Sequence, residues 1–506
     1  MNKVYKKDCE SYCEYTLPDY LGDVKKILSV NSYATPSGKF VGDGEVEYSG
    51  IVTYDLLYSD SEGKLTRLTT TSDYDINVAA DSAAYVDSFS EPRIASVSVR
   101  LTGPRKLVAK AVVSNSVTVA TEETVETSGT AFAEGRVPEL AKKDIREEKL
   151  IFISSPEREY AEEAERVSAT AADDIEIISS SGTVRVTEST PIENGVNVKG
   201  DLIITAIIRT SEQPAFAIRK IIPFDEDVSI EGVKTDMNTM VDGYLTSVTA
   251  GVAEDGEDSV ITVSAILELV GFAGSNVDSE IITDGYLLES ATEAEYENYT
   301  YRELVEISST EQAVNLSILR SDIGCEYIRN VLSLSADVRS LEKTISKKGI
   351  NLSGDIHLSG VACEINEDNS AAYVPIKFTS AISVDINTEN ELPEGAEAFM
   401  RVSVVDVESS LDPERLNVKC SLKIGGRVTK TNTVKRMTVC NEVGALDECS
   451  ASPRITVYYP DGDETLFDIA KRFHTTGARI ASDNALSEQT LNSSNSLLSV
   501  KKLIIR

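Results

Sequence analysis

At 506 residues the chain is long enough for about three to four domains. With 41% hydrophobic and 26% charged residues it lies in the globular range. Its 49 Lys and Arg face 83 Asp and Glu, a net charge of −34, which excludes general binding to nucleic acid or anionic lipid. Two histidines exclude a His-based metal centre, and seven cysteines without a C-x-x-C do not make a disulfide scaffold.

The N-terminal MNKVYKKDCESYCEY lacks an apolar run, so no signal peptide is expected. Cys9 and Cys13 are spaced to share a helix face, but no second ligand pair accompanies them. A Gly-acid-aliphatic step then recurs in FVGDGEVEYSGIVTYDLLY (40–58), VNVKGDLIITAIIRT (196–210) and INLSGDIHLSGVACEI (350–365). Aligning Gly44, Gly200 and Gly354 gives a period near 155 residues. KLVAKAVV (106–113), VITVSAIL (260–267) and RLNVKCSL (415–422) repeat at the same period through Leu107, Ile261 and Leu416. A weaker anchor pairs VKKILSV (24–30) with IRNVLSL (328–334).

Val46, Tyr48, Val52, Tyr54, Leu56 and Tyr58 alternate as in a half-buried strand. SDSEGK (59–64) and INEDNS (365–370) read as hairpin turns. Leu202–Ile208 reads as a buried strand, too short to cross a bilayer. The repeat cores are placed at 15–120, 170–275 and 325–432. Connectors at 121–169 and 276–324 hold helix-compatible stretches at 139–149, 156–167 and 291–307, with Pro156 and Glu157 suited to a helix start, but the weak helical stripe is equally compatible with surface-lying loops or strands. A linker, 433–454, ends in Ser452-Pro453.

YTLPDYLGDVKKILSV (15–30) resembles the entry motif of SPOCS domains, the spore-coat modules of endospore-forming clostridia. Leu17, Pro18, Tyr20, Asp23, Val24, Ile27 and Leu28 carry the match. The second and third repeats lack the L-P-x-Y step and look like diverged copies. The expected fold is mainly β, with three tandem sandwich-like SPOCS-type modules followed by a small βααβ domain.

That last domain covers 455–506. Ile455, Val457 and Tyr459 alternate as a short strand. Leu466, Ile469, Ala470 and Phe473 make one apolar helix face. A second helix fits Ala478–Asn484, and 502–505 is a closing strand. The segment resembles a LysM domain over nearly its whole length, through Gly462, Asp463, Leu466, Ile469, Ala470, Lys471, Arg472, Phe473, Thr475, Thr476, Asn484 and Leu486. Glu464 is an added residue in the turn, Phe467 stands where Trp is usual, and Arg506 where a proline is expected. The resemblance implies a groove for glycan or a protein partner built from Asp461, Gly462, Asp463, Glu464, Thr465 and Leu466 with Asn484, Ala485 and Leu486. It also implies that the partner is the coat-basement ATPase of the forespore, with other coat proteins bound by the repeats. N-acetylglucosamine polymers of peptidoglycan are the alternative ligand, and a self-assembling surface-layer subunit is a third reading.

No catalytic residue, metal site or cofactor is expected. GVNVKGD and GINLSGD carry Asp where a phosphate-binding loop needs Lys. DGED and DGDE lack calcium-loop spacing. His357 sits in an alternating strand, and His474 follows the LysM helix. The expected place is the mother-cell cytoplasm at the forespore surface, without nucleic acid or membrane insertion. LysM holds six basic and six acidic residues, so the whole net charge belongs to the repeats.

Overall fold

The computed structural model describes residues 2–42, 44–80, 85–121, 138–167, 172–256, 258–324, 327–366, 370–445, 455–461, 464–486, 497 and 500–506. It is mainly β and divides into two compact units. The first comprises Met1–Glu122, Glu148–Ser275 and Leu304–Lys430; the second comprises Glu123–Glu147, Asn276–Glu303 and Thr431–Arg506.

The first repeat holds β1 (Asn2–Thr16), β2 (Val24–Gly42), β3 (Glu45–Asp60), β4 (Leu65–Ala79), β5 (Tyr85–Gly103) and β6 (Lys106–Thr121). They form two antiparallel sheets, β2-β3-β4 and β1-β6-β5. The alternation read in β3 turns Val46 and Tyr54 inward, and β4 alternates likewise to turn Tyr74 and Ile76 inward. There they meet Leu107, Ala109 and Val113 of β6 in one core. Burying such side chains stabilises by about 1.5–3 kcal/mol each. Cys9 and Cys13 lie on a strand, not a helix, and both pack against this core.

After β7 (Glu139–Ser154), the plan recurs. β8 (Arg158–Val167), β9 (Ile175–Ile192), β10 (Gly195–Thr210), β11 (Phe216–Ser229), β12 (Asn238–Asp255) and β13 (Asp258–Tyr286) make the second set. Here β9-β10-β11 is one sheet, and β13 pairs with β12, β8 and β7 in the other. The third set is β14 (Ser290–Leu319), β15 (Ile328–Ser346), β16 (Gly349–Ile365), β17 (Ala371–Asn387), β18 (Ala396–Leu411) and β19 (Arg415–Ala445), paired as β15-β16-β17 and β14-β19-β18. Each set has its own core. Leu202–Ile208 is a buried strand, as expected.

Of the readings open for 139–149, 156–167 and 291–307, the structure takes the strand, in β7, β8 and β14, and not the helix. Their propensity favours helix, but β13 and β19 offer long edges, and sheet pairing overrides a weak helical stripe. Residues 433–445 of the expected linker continue β19, while 446–454, with Ser452 and Pro453, lie outside the described residues. The glycine that matches Gly200 and Gly354 is Gly50, not Gly44. Gly44 is a turn glycine at φ 84° before β3. Gly50, Gly200 and Gly354 each face a large residue across the sheet: Tyr74, Phe224 and Ile382. A Cβ on Gly200 would stand 2.2 Å from the Arg185 carbonyl oxygen and 2.8 Å from the Phe224 ring.

Within the first unit the repeats contact one another in cyclic order. β2 lies on β16 and β17, β15 on β10 and β11, and β9 on β4. Leu28, Ile178 and Leu332, at the same position of β2, β9 and β15, join Leu57, Ile207 and Val361 from β3, β10 and β16 in one buried cluster. Ser335 donates to Asn31 Oδ1 at 2.7 Å, joining third repeat to first.

Candidate functional site

In the second unit, β20 (Thr456–Tyr458) pairs antiparallel with β21 (Leu503–Ile505), and α1 (Leu466–Arg472) and α2 (Gly477–Asp483) lie between them in sequence. Thr465 caps α1 in a reciprocal box with Asp468, and Thr476 caps α2 through the Arg479 amide. Leu466, Ile469, Ala470, Ile480, Leu503 and Ile505 fill the small core.

The expected groove residues have mostly internal tasks. Glu464 accepts from the Tyr458 hydroxyl at 2.7 and 2.8 Å and from the Asp461 amide at 3.2 Å. It also pairs with Arg472 at 2.7 Å. The Tyr458 hydroxyl, then the Asp461 amide and Arg472, hold its carboxyl below the usual range. The added residue therefore braces β20 to α1 instead of standing free. Thr465 is the cap, and Leu466 is buried. Asn484 donates to the Ile480 and Ile504 carbonyls at 2.9 and 2.7 Å and accepts from the Ile504 amide at 2.7 Å, tying α2 to β21. Leu486 packs against the same core as Leu466. Asp461 and Ala485 are exposed. Gly462 and Asp463 lie outside the described residues.

Two features were missed in the sequence. Ile455, Val457 and Tyr459 are 72, 52 and 69% exposed, so this alternation faces solvent. The opposite face supplies Tyr458, which packs edge-on against Phe473 at 5.5 Å. Apolar residues on both faces of one short strand are the signal that was available. The second feature is Tyr286, at the end of β13 and 1% exposed. Its hydroxyl donates to the Thr475 carbonyl at 2.6 Å, and its ring meets Phe467 edge-on at 5.2 Å. Lys471 pairs with Asp284 at 2.6 Å beside it. Phe467, where Trp was expected, thus contacts another part of the chain, a role no local motif encodes.

In the first unit a cavity of about 1030 Å³ is lined by strands of all three repeats. Its guanidinium groups are bound to carboxylates of the chain: Arg67 to Asp55, Arg219 to Asp406, Arg339 to Asp337, and Arg401 to Asp242. His357, also on this wall, shares a 3.0 Å hydrogen bond with Thr379. Burial pushes the Cys420 thiol up to about 11 and raises Cys363, which suppresses thiolate chemistry at both. Among the described residues no group of three or more His, Cys, Asp or Glu is placed to hold a metal.

Residues 174–253 match the family model of the SipL SPOCS domain. That segment, residues 174–253, is similar to a SPOCS domain. The match runs from β9 into β12, in the second repeat, whereas the entry motif quoted above lies in the first. None of the curated proteins compared matches the chain. Among solved structures, the "Crystal structure of lipopolysaccharide binding protein" aligns at 9% identity over 52% of this chain and 91% of that one, with a TM-score of 0.07. No helix among the described residues is long and apolar enough to cross a membrane.

Proposed function

We propose that this SPOCS-domain chain is a non-enzymatic adaptor in spore-envelope assembly. It works in the mother-cell cytoplasm at the forespore surface. Residues 455–506 act as a LysM domain that docks on the coat-basement ATPase, and the three repeats act as SPOCS modules that bind other coat proteins. Repeated modules let modest affinities sum.

One observation carries the protein-partner reading. The polar groups of Glu464, Thr465 and Asn484 are used inside the domain, while Ile455, Val457 and Tyr459 face out. A glycan site needs free polar groups beside its platform. An exposed apolar stripe fits a protein surface better. The test is binding of the purified full chain to the purified ATPase, compared with Val457→Asp and with a chain lacking 455–506. Val457→Asp should fold normally and bind about tenfold more weakly or worse. The deletion should abolish binding. Cosedimentation of the full chain with peptidoglycan, with no binding to the ATPase, overturns the reading in favour of a cortex or wall protein.

A further inference from the structure

In each repeat, the sheet built on β6, β13 or β19 carries a β-bulge at the same point. In β5 the ladder to β6 skips Ala95, in β12 the ladder to β13 skips Thr246, and in β18 the ladder to β19 skips Val405. A bulge bends its strand and re-aims the side chains beyond it. Three residues before the paired residue that flanks each bulge stand Glu91, Asp242 and Arg401. They face Ser116, Val270 and Gly425, each nine residues past Leu107, Ile261 and Leu416. They are therefore one position, occurring three times.

These three equivalent residues meet. Arg401 lies 2.9 Å from Asp242 and 3.6 Å from Glu91, and all three line the cavity between the repeats. Lys423 adds a second cation to Asp242 at 3.3 Å and donates to the Val241 carbonyl at 2.6 Å. We propose that this position is a charge key, by which the faces of the three repeats recognise one another and close into a ring. The key works because the three copies differ. Three identical repeats would bring together three carboxylates or three guanidinium groups, and like charges repel at this separation between partly buried side chains. Each repeat face thus fits its two neighbours in this chain and rejects a copy of itself from a second chain. The surrounding charges agree with a site built around ionised partners. Burial works against Arg401, but Asp242 and Glu91 outweigh it and raise its pKa. Arg93, two residues along β5, is pushed down to about 10 by burial and by Arg401. Leu28, Ile178 and Leu332 supply apolar contact at another shared position but no discrimination, since three aliphatics fit in any order.

The test is charge permutation in the full chain. Arg401→Glu alone puts three carboxylates at the key and should lower the unfolding midpoint by roughly 5 °C or more. Adding Glu91→Arg restores one guanidinium between two carboxylates, in a different repeat, and should recover most of the loss. Glu91→Arg alone should not stabilise the wild-type chain. If Arg401→Glu gives no soluble protein, return of soluble protein in the double variant supports the key. A double variant no better than Arg401→Glu overturns it, as does an Arg401→Glu chain that melts like wild type.

Discussion

At the scale of single residues, close approach of backbones sets the strictest limits. Gly200 is held between the Arg185 carbonyl and the Phe224 ring, and its counterpart Gly50 lies under Tyr74, where a Cβ would overlap the ring at 2.3 Å. Neither position needs a left-handed backbone; both need the missing side chain. Gly200→Ala should therefore destabilise the chain by about 1–3 kcal/mol through overpacking. Denaturant titration checks this, and Gly44→Ala, where a Cβ meets open space but φ is positive, serves as a contrast. The same pair explains a misalignment in the sequence. Gly44-Glu45-Val46 mimics Gly200-Asp201-Leu202 in residue type, but only pairing opposite a large cross-strand residue identifies the equivalent glycine, and pairing is not written in the local string.

At the scale of elements, the hydrophobic alternation of β3 was legible because one face is buried, and β10 was legible from the unbroken apolar run Leu202–Ile208. The charged strands β7, β8 and β14 were not. Their composition suits a helix, and only the available edges of β13 and β19 decide the outcome. Both short C-terminal helices were legible, since capping and apolar spacing are local. What Tyr286 does was not, because its partners are Phe467 and Thr475, far along the chain. Tyr286→Ala should cost about 3 kcal/mol or more, from a cavity beside Phe467 and a lost hydrogen bond. Hydrogen exchange should show α1 and α2 less protected in this variant. Tyr286→Phe should keep the ring packing and lose about 1 kcal/mol. Equal loss from both variants would assign the effect to the hydroxyl alone.

At the scale of the whole molecule, the net charge of −34 raises the question of acid stability. Asp242 gives a defined part of the answer. Burial opposes its charge, but Arg401 and Lys423 prevail and hold its pKa below the ordinary value. A carboxyl lowered in the folded state stabilises fully above its unfolded pKa of about 3.9 and loses that contribution as pH falls through the folded value. Glu91, Arg93 and Arg401 share the site, so the effect belongs to the network. Asp242→Asn should be less stable at pH 7 and should lose less stability than wild type between pH 5 and pH 3. Urea titrations across that range check it. Parallel curves for the two proteins would show that acid sensitivity arises elsewhere among the carboxylates.

The bond from Ser335 to Asn31 joins residues 304 positions apart. It has a consequence during synthesis. At about 5–20 residues per second, Asn31 emerges some 15–60 s before its partner is made. For that time Leu28 and Leu57 of the first repeat, and for a shorter time Ile178 and Ile207 of the second, lack the third repeat's Leu332 and Val361. The nascent chain is then an open arc with apolar faces uncovered. Its strong negative charge is already present and keeps neighbouring nascent chains apart until the last repeat closes the arc.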